Sequence, residues 1–228
     1  MSQGLVSLRS FCLLSGLSGI AGVALLVASF AVNPGLPAGV TDAEMSRFTQ
    51  QHFAAELWGA WLQAVGPVFI VLFAFALVHI AGATQRLAGW MTIFGAMTLM
   101  TVSLIEITFY MSAMFAEPAV MPAASLKLIY AVQHLYFIVA APALFFPLGL
   151  VLLTSQILPR ILGYLALLLA VGFGVAGVVF LMHLVLPDLV TACGAVQPLW
   201  WLAAAIALMV RSGKIDRAAD GASEARGH

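Results

Sequence analysis

Charge is what this sequence has least of. Only 8% of its 228 residues are Asp, Glu, Lys or Arg, against about 25% in a soluble domain. A water-facing surface cannot be built from so few charges, which excludes a soluble enzyme. The nine basic and nine acidic residues also cancel. No positive field exists to draw in nucleic acid, so nucleic acid is not an expected partner. Cysteine is nearly absent too, with Cys12 and Cys193 the two in the chain. That excludes a disulfide framework and any CxxC metal or redox motif. Long stretches of alternating apolar and polar residues are missing as well, which argues against a membrane β-barrel.

What is present is apolar. Hydrophobic residues make up 63% of the chain, and the mean hydropathy is +1.09. They fall in long runs, each near the roughly 20 residues that a helix needs to cross a bilayer. Six runs qualify, near 5–32, 53–81, 87–115, 128–153, 161–186 and 189–210. The joints carry breakers: Asn33-Pro34-Gly35, Gly82 to Arg86, Glu117-Pro118, Pro159-Arg160 and Pro187-Asp188. The expected fold is therefore all-α, one six-helix transmembrane domain over residues 1–210. A polar, frayed tail is expected over 211–228. The first run exceeds the 7–15 residues of a signal-peptide core, so a retained helix is expected there.

Basic residues set the orientation. With the amino terminus in the cytoplasm, Arg9, Arg86, Arg160, Arg211, Lys214, Arg217 and Arg226 fall inside. Arg47 and Lys127 fall outside. Both termini are accordingly expected to be cytoplasmic. The longest connection, 33–50, contains Thr41-Asp42-Ala43-Glu44, a helix-start pattern that points to a short surface helix.

Small residues line one face of the first run, at Ser15, Ser18, Gly19 and Gly22, and of the fifth, at Gly172, Gly174, Ala176 and Gly177. Such faces let helices approach closely in lipid. Pro67, Pro142, Pro147 and Pro198 lie within spans and are expected to kink them.

The segment Ser155-Gln156-Ile157-Leu158-Pro159-Arg160-Ile161-Leu162-Gly163 is the most specific motif in the chain. It resembles the turn between the fourth and fifth helices of a bacterial six-helix membrane family, domain of unknown function 4386. Arg9 before the Gly16 to Gly22 stretch, and His134 followed by Tyr136, are similar to features of that family. The resemblance implies a six-helix fold in the bacterial cytoplasmic (inner) membrane. It implies no activity, and no catalytic residue follows from it.

Ionisable groups inside spans are costly and face the bundle interior or a cavity. Counted at about 1.5 Å per residue, Glu106 lies about 7–8 Å outward of the middle of the third span. Gln133 and His134 fall in the outer half of the fourth span, and Glu56 and Gln63 in the outer half of the second, with His52 at its mouth. His183 lies near the outer end of the fifth, and Gln197 just outward of the middle of the sixth. His79 alone falls on the inner side. Helical phase groups them further: His52, Glu56, Gly59, Gln63 and Gly66 form one stripe. Ser103, Glu106 and Tyr110 form a second; Tyr130, Gln133, His134 and Phe137 form a third.

Three polar stripes at one depth predict an outward-half pocket centred on Glu106. A carboxyl at that depth is either neutral or partnered, and Glu106 with His134 is the candidate pair for proton transfer. His52, Glu56, Gln63, Tyr110, Tyr130, Gln133, His183 and Gln197 are the candidate ligand-binding residues. The expected ligand is small and hydrophobic or lipid-like, with membrane lipids as the surrounding partners. The alternative is a structural or accessory subunit whose polar residues hold helices together. A proton-coupled carrier built as a homodimer and a metal or haem protein rank lower. The chain shows no visible half-repeat and no HExxH-type motif, so neither a cofactor nor a metal is expected. The Trp residues read as interface anchors or packing, and the Met residues as core filling.

Topology is directly measurable. A reporter fused after Val210 should be active in the cytoplasm, and one inserted in the 33–50 connection should be active outside. The reverse pattern would invert every depth assigned above.

Overall fold

In the computed structural model, the described residues are 7–34, 41–115, 122–182, 184 and 187–224. Among them the regular structure is helical: α1 (Leu8–Val32), α2 (Asp42–Ile80), α3 (Leu87–Phe115), α4 (Pro122–Leu135), a π-helical turn (Tyr136–Ala140), α5 (Ala141–Ser155), α6 (Arg160–Leu181) and α7 (Pro187–Glu224). Six stretches are long and apolar enough to cross a membrane. They are Leu8–Val32, Arg47–Ile80, Leu87–Ser112, Ala131–Ser155, Arg160–Leu181 and Asp188–Arg217. The α4–π–α5 stretch makes the fourth crossing. The chain is thus an all-helical, multi-pass membrane bundle.

Two boundaries differ from the sequence reading, each for a local reason. Thr41 does start a helix, but that helix continues unbroken into the second span rather than lying separately on the surface. Its cap is a reciprocal pair: the Thr41 hydroxyl accepts from the Glu44 N–H at 3.3 Å, and the Glu44 carboxylate accepts from the Thr41 N–H at 2.8 Å. These bonds hold the exposed Glu44 carboxyl below its usual pKa. At the other end α7 runs through the polar stretch to Glu224. Part of the reason is that Arg211 is engaged. Its Nη1 donates to the carbonyls of Ile157 and Gln156, at 3.2 and 3.4 Å. Those carbonyls belong to the Leu-Pro-Arg turn, where Gln156 adopts a left-handed conformation (φ 56°) that ends α5. Trp200 Nε1 donates to Leu162 O at 2.8 Å, so α7 clamps both flanks of that turn.

Glycines set the helix spacing. Gly22 of α1 and Gly66 of α2 face one another, a Cβ on either falling 3.0–3.2 Å from the other's carbonyl oxygen. Gly149 of α5 and Gly163 of α6 repeat this crossing at 3.0–3.2 Å. Ser18 Oγ adds a bond to Phe69 O at 3.0 Å between α1 and α2. Gly16 and Gly19 place α1 against Met209 and Ala205 of α7. The Arg9 N–H reaches Asp216 Oδ1 at 3.3 Å, so α1 begins and α7 ends at one side of the bundle, the terminal side. Between them an aromatic cluster fills the centre. Phe145 packs on Phe173, Trp200 and Trp201, and Phe73 on Trp201, with ring centroids 5.3–6.2 Å apart. Trp200 and Trp201 are thus packing residues, 2% and 1% exposed, whereas Trp58, Trp61 and Trp90 face outward.

Gly95 of α3 lies against the α5 backbone, where a Cβ would overlap the Ala143 carbonyl. Backbone cannot move aside as a side chain can. Gly95→Val should destabilise the bundle by about 1–3 kcal/mol, read as a lowered thermal midpoint in detergent. Gly213→Ala, with nothing within 4 Å of the new Cβ, should stay within about 0.5 kcal/mol.

Candidate functional site

The half of the bundle away from the terminal side holds a cavity of about 380 Å³, inside the usual range for a small-ligand site. Its polar wall is built by four different spans: Gln63 from α2, Ser103 and Glu106 from α3, Gln133 from α4, and Gln197 from α7. Gln133 Nε2 donates to Glu106 Oε1 at 2.9 Å, and Gln63 approaches the same carboxyl from α2. Tyr136 Oη donates to Gln197 Oε1. The remaining walls are apolar: Val23, Leu26, Val27 and Phe30 of α1, with Ile70, Leu99, Phe137, Phe173 and Trp201 toward the terminal side.

Local chain geometry explains how these groups meet. Gln63 lies one turn before Pro67, which removes a helical N–H and lines the cavity itself. Gln133 at the end of α4 and Tyr136 at the start of the π-helical turn are one turn apart and share a face. From that face Gln133 reaches Glu106 on α3 and Tyr136 reaches Gln197 on α7. Pro142, one residue into α5, removes the N–H that would bond to Ile138, and the wider turn accommodates that loss.

The candidate residues separate into groups. Gln63, Glu106, Gln133 and Gln197 converge on the cavity. His134 does not line it, and its ring lies on Phe180 of α6 with centroids 3.4 Å apart. Glu106 has Gln133 and Gln63 as hydrogen-bonding neighbours, and His134, one position after Gln133, faces a different side of the helix. Tyr110 and Glu56 also stand apart from the cavity wall, nearer the end of the bundle. Tyr110 Oη donates to Asn33 Oδ1 at 3.1 Å, and Asn33 packs on Gly59, one turn after Glu56. His52 packs on Phe48, centroids 4.5 Å apart. The Tyr130 side chain and the whole of His183 lie outside the described residues. His79 packs on Phe11 near the terminal side.

Among the described residues, no three His, Cys, Asp or Glu side chains group as metal ligands. Sequence reasoning missed the contribution of α1, whose cavity face is wholly apolar and carries no chemical signal. It also missed Tyr136 as a cavity group, although Tyr136 lies one turn after Gln133 on the same helix face. No family model matches the chain, and no curated protein or solved structure matches it either.

Glu56 is fully buried, and neither carboxyl oxygen has a hydrogen-bond partner among the described residues. An unsatisfied buried polar group costs about 1–3 kcal/mol. Glu56→Met keeps the shape and removes that cost, so the thermal midpoint should rise. A fall would mean that Glu56 holds a favourable partner in the membrane.

Proposed function

We propose that this chain is a multi-pass protein of the bacterial cytoplasmic membrane, with both termini in the cytoplasm, that binds a small hydrophobic or lipid-like ligand. The same proposal places it in the six-helix family that its Leu-Pro-Arg turn resembles. One observation carries the ligand reading: Gln63, Glu106, Gln133 and Gln197 face a common cavity from four spans. Polar groups that only hold helices together bond to one another in a dry contact. Here they front a space that is large enough for a ligand. A carboxyl offers about four acceptor sites and each amide offers two donors, so two inter-helix bonds leave most of that capacity for an occupant.

Glu106 is the group that orients the ligand and is placed to exchange a proton with it. His134, which lies off the wall, takes no direct part in this reading. The structural alternative has its own observation in the Gln133–Glu106 and Tyr136–Gln197 bonds, which tie α4 to α3 and the π-helical turn to α7.

Native mass spectrometry of purified protein separates the two. Wild type should carry a small co-purifying amphiphile. Hydrogen bonds to a carboxyl contribute about 1.5–3 kcal/mol, so Glu106→Leu should weaken retention by about tenfold or more. Absence of any adduct, with a lowered thermal midpoint in Glu106→Leu, would select the structural reading instead.

A further inference from the structure

The cavity is not closed on every side, and its opening lies between α1 and α7. On the terminal side these helices are pinned together: Gly16 and Gly19 press on Met209 and Ala205, and Arg9 is bonded to Asp216. Farther along, α1 turns its glycine contacts to α2, through Gly22 against Gly66. Pro198 lies within α7 and lines the cavity. Beyond it, Val23, Leu26, Val27 and Phe30 on α1 look across the cavity at Val190, Gly194 and Gln197 on α7. Val27 and Phe30 are 52% and 74% exposed although they also line the cavity. A Cβ added at Gly194 would meet nothing within 4 Å. The seam between the two helices is therefore a V, closed at the terminal side and open beyond it.

We infer that this V is a lateral portal through which a single-chain amphiphile with an uncharged hydroxyl head enters from the bilayer, an inference that rests on the ligand-binding reading above. Three features select this occupant. Every side chain at the portal's exposed edges is apolar or glycine, so the edge faces lipid chains and not water. The cavity volume lies near the lower end of the range for ligand sites, so a head and part of one chain fit while the rest extends through the opening. No Lys, Arg or His is among the lining residues, so a phosphate head beside the Glu106 carboxyl would find no compensating charge. A hydroxyl suits the wall, since it can donate to Glu106 and accept from an amide of Gln63 or Gln133. The polar wall on α3 and α4 then takes the head, and the chain leaves between α1 and α7.

The probe is hexadecanol carrying a mid-chain diazirine, photolysed with the full-length protein in nanodiscs. Labelling is expected on the peptides containing Val27–Phe30 and Gly194–Pro198. Unlabelled hexadecanol should compete and hexadecyl phosphate should not. Gly194→Trp fills the opening at a position free of neighbours and should abolish cavity labelling without lowering the thermal midpoint. Leu168→Trp, on an exposed part of α6, should leave labelling unchanged. Cavity labelling that survives Gly194→Trp would overturn the portal while leaving the binding site intact. Equal competition by hexadecyl phosphate would overturn the assignment of an uncharged head. Wild-type protein that is labelled nowhere in the cavity would overturn the binding reading itself, and this inference with it.

Discussion

In lipid, the tails are as apolar as the helix surfaces, so no hydrophobic force draws one helix to another. Close backbone approach has to supply the attraction instead. In this chain that approach is made at glycine, at Gly22 against Gly66, at Gly149 against Gly163, and at Gly95 against the α5 carbonyl. Each contact works only where both helices lack a protruding side chain. The positions of the glycines consequently decide where the bundle is tight. They also decide where it is not. The glycine face of α1 meets α7 at Gly16 and Gly19, where Gly19 also meets Phe73 of α2, and at Gly22 it packs on α2; the next α1 turns, from Val23 to Phe30, line the cavity.

The polar residues fit into this frame as a consequence of cost. A carboxyl or amide inside a bilayer needs a partner or a cavity. The tight regions of this bundle offer neither, being filled by Leu, Phe and Trp. Glu106, Gln63, Gln133 and Gln197 are tolerated together because they share one space and partly satisfy each other. Two turns toward the terminal side of Gln63 and Glu106, the same faces carry Ile70 and Leu99, and the cavity wall there is apolar. Position along the helix is thus as restrictive as helical phase.

Most of this architecture was legible in the residues. Long apolar runs gave the six spans, because bilayer thickness imposes one length on every crossing. Depth counting put Glu106, Gln63, Gln133 and Gln197 near one level, and all four line one cavity. Phase was less dependable. Reading Gln133 and His134 as one polar face failed at His134, whose ring turns to Phe180. The π-helical turn at Tyr136 has no sequence signature beyond the nearby Pro142, and it changes what every later residue faces. Glu56 shows a limit of another kind. It shares a helix face with Gln63, but it lies two turns, about 10 Å, farther toward the start of α2, beyond the cavity wall and near Asn33.

Glu56 and Glu106 therefore answer different constraints, although composition treats them alike. Glu106 borders open space and amide neighbours, and a substitution there changes what the cavity can hold. Glu56 borders packed side chains and has no described partner, and a substitution there changes first how much the fold costs to assemble. An unsatisfied group of that kind is tolerated only while the surrounding contacts outweigh it. Here those contacts include Gly59 on Asn33 and the Tyr110–Asn33 bond, which fasten the end of α1 to α2 and α3. Asn33 lies one turn beyond Phe30, which lines the cavity. The contacts beside Glu56 therefore anchor the same arm of α1 that forms the apolar wall opposite Glu106.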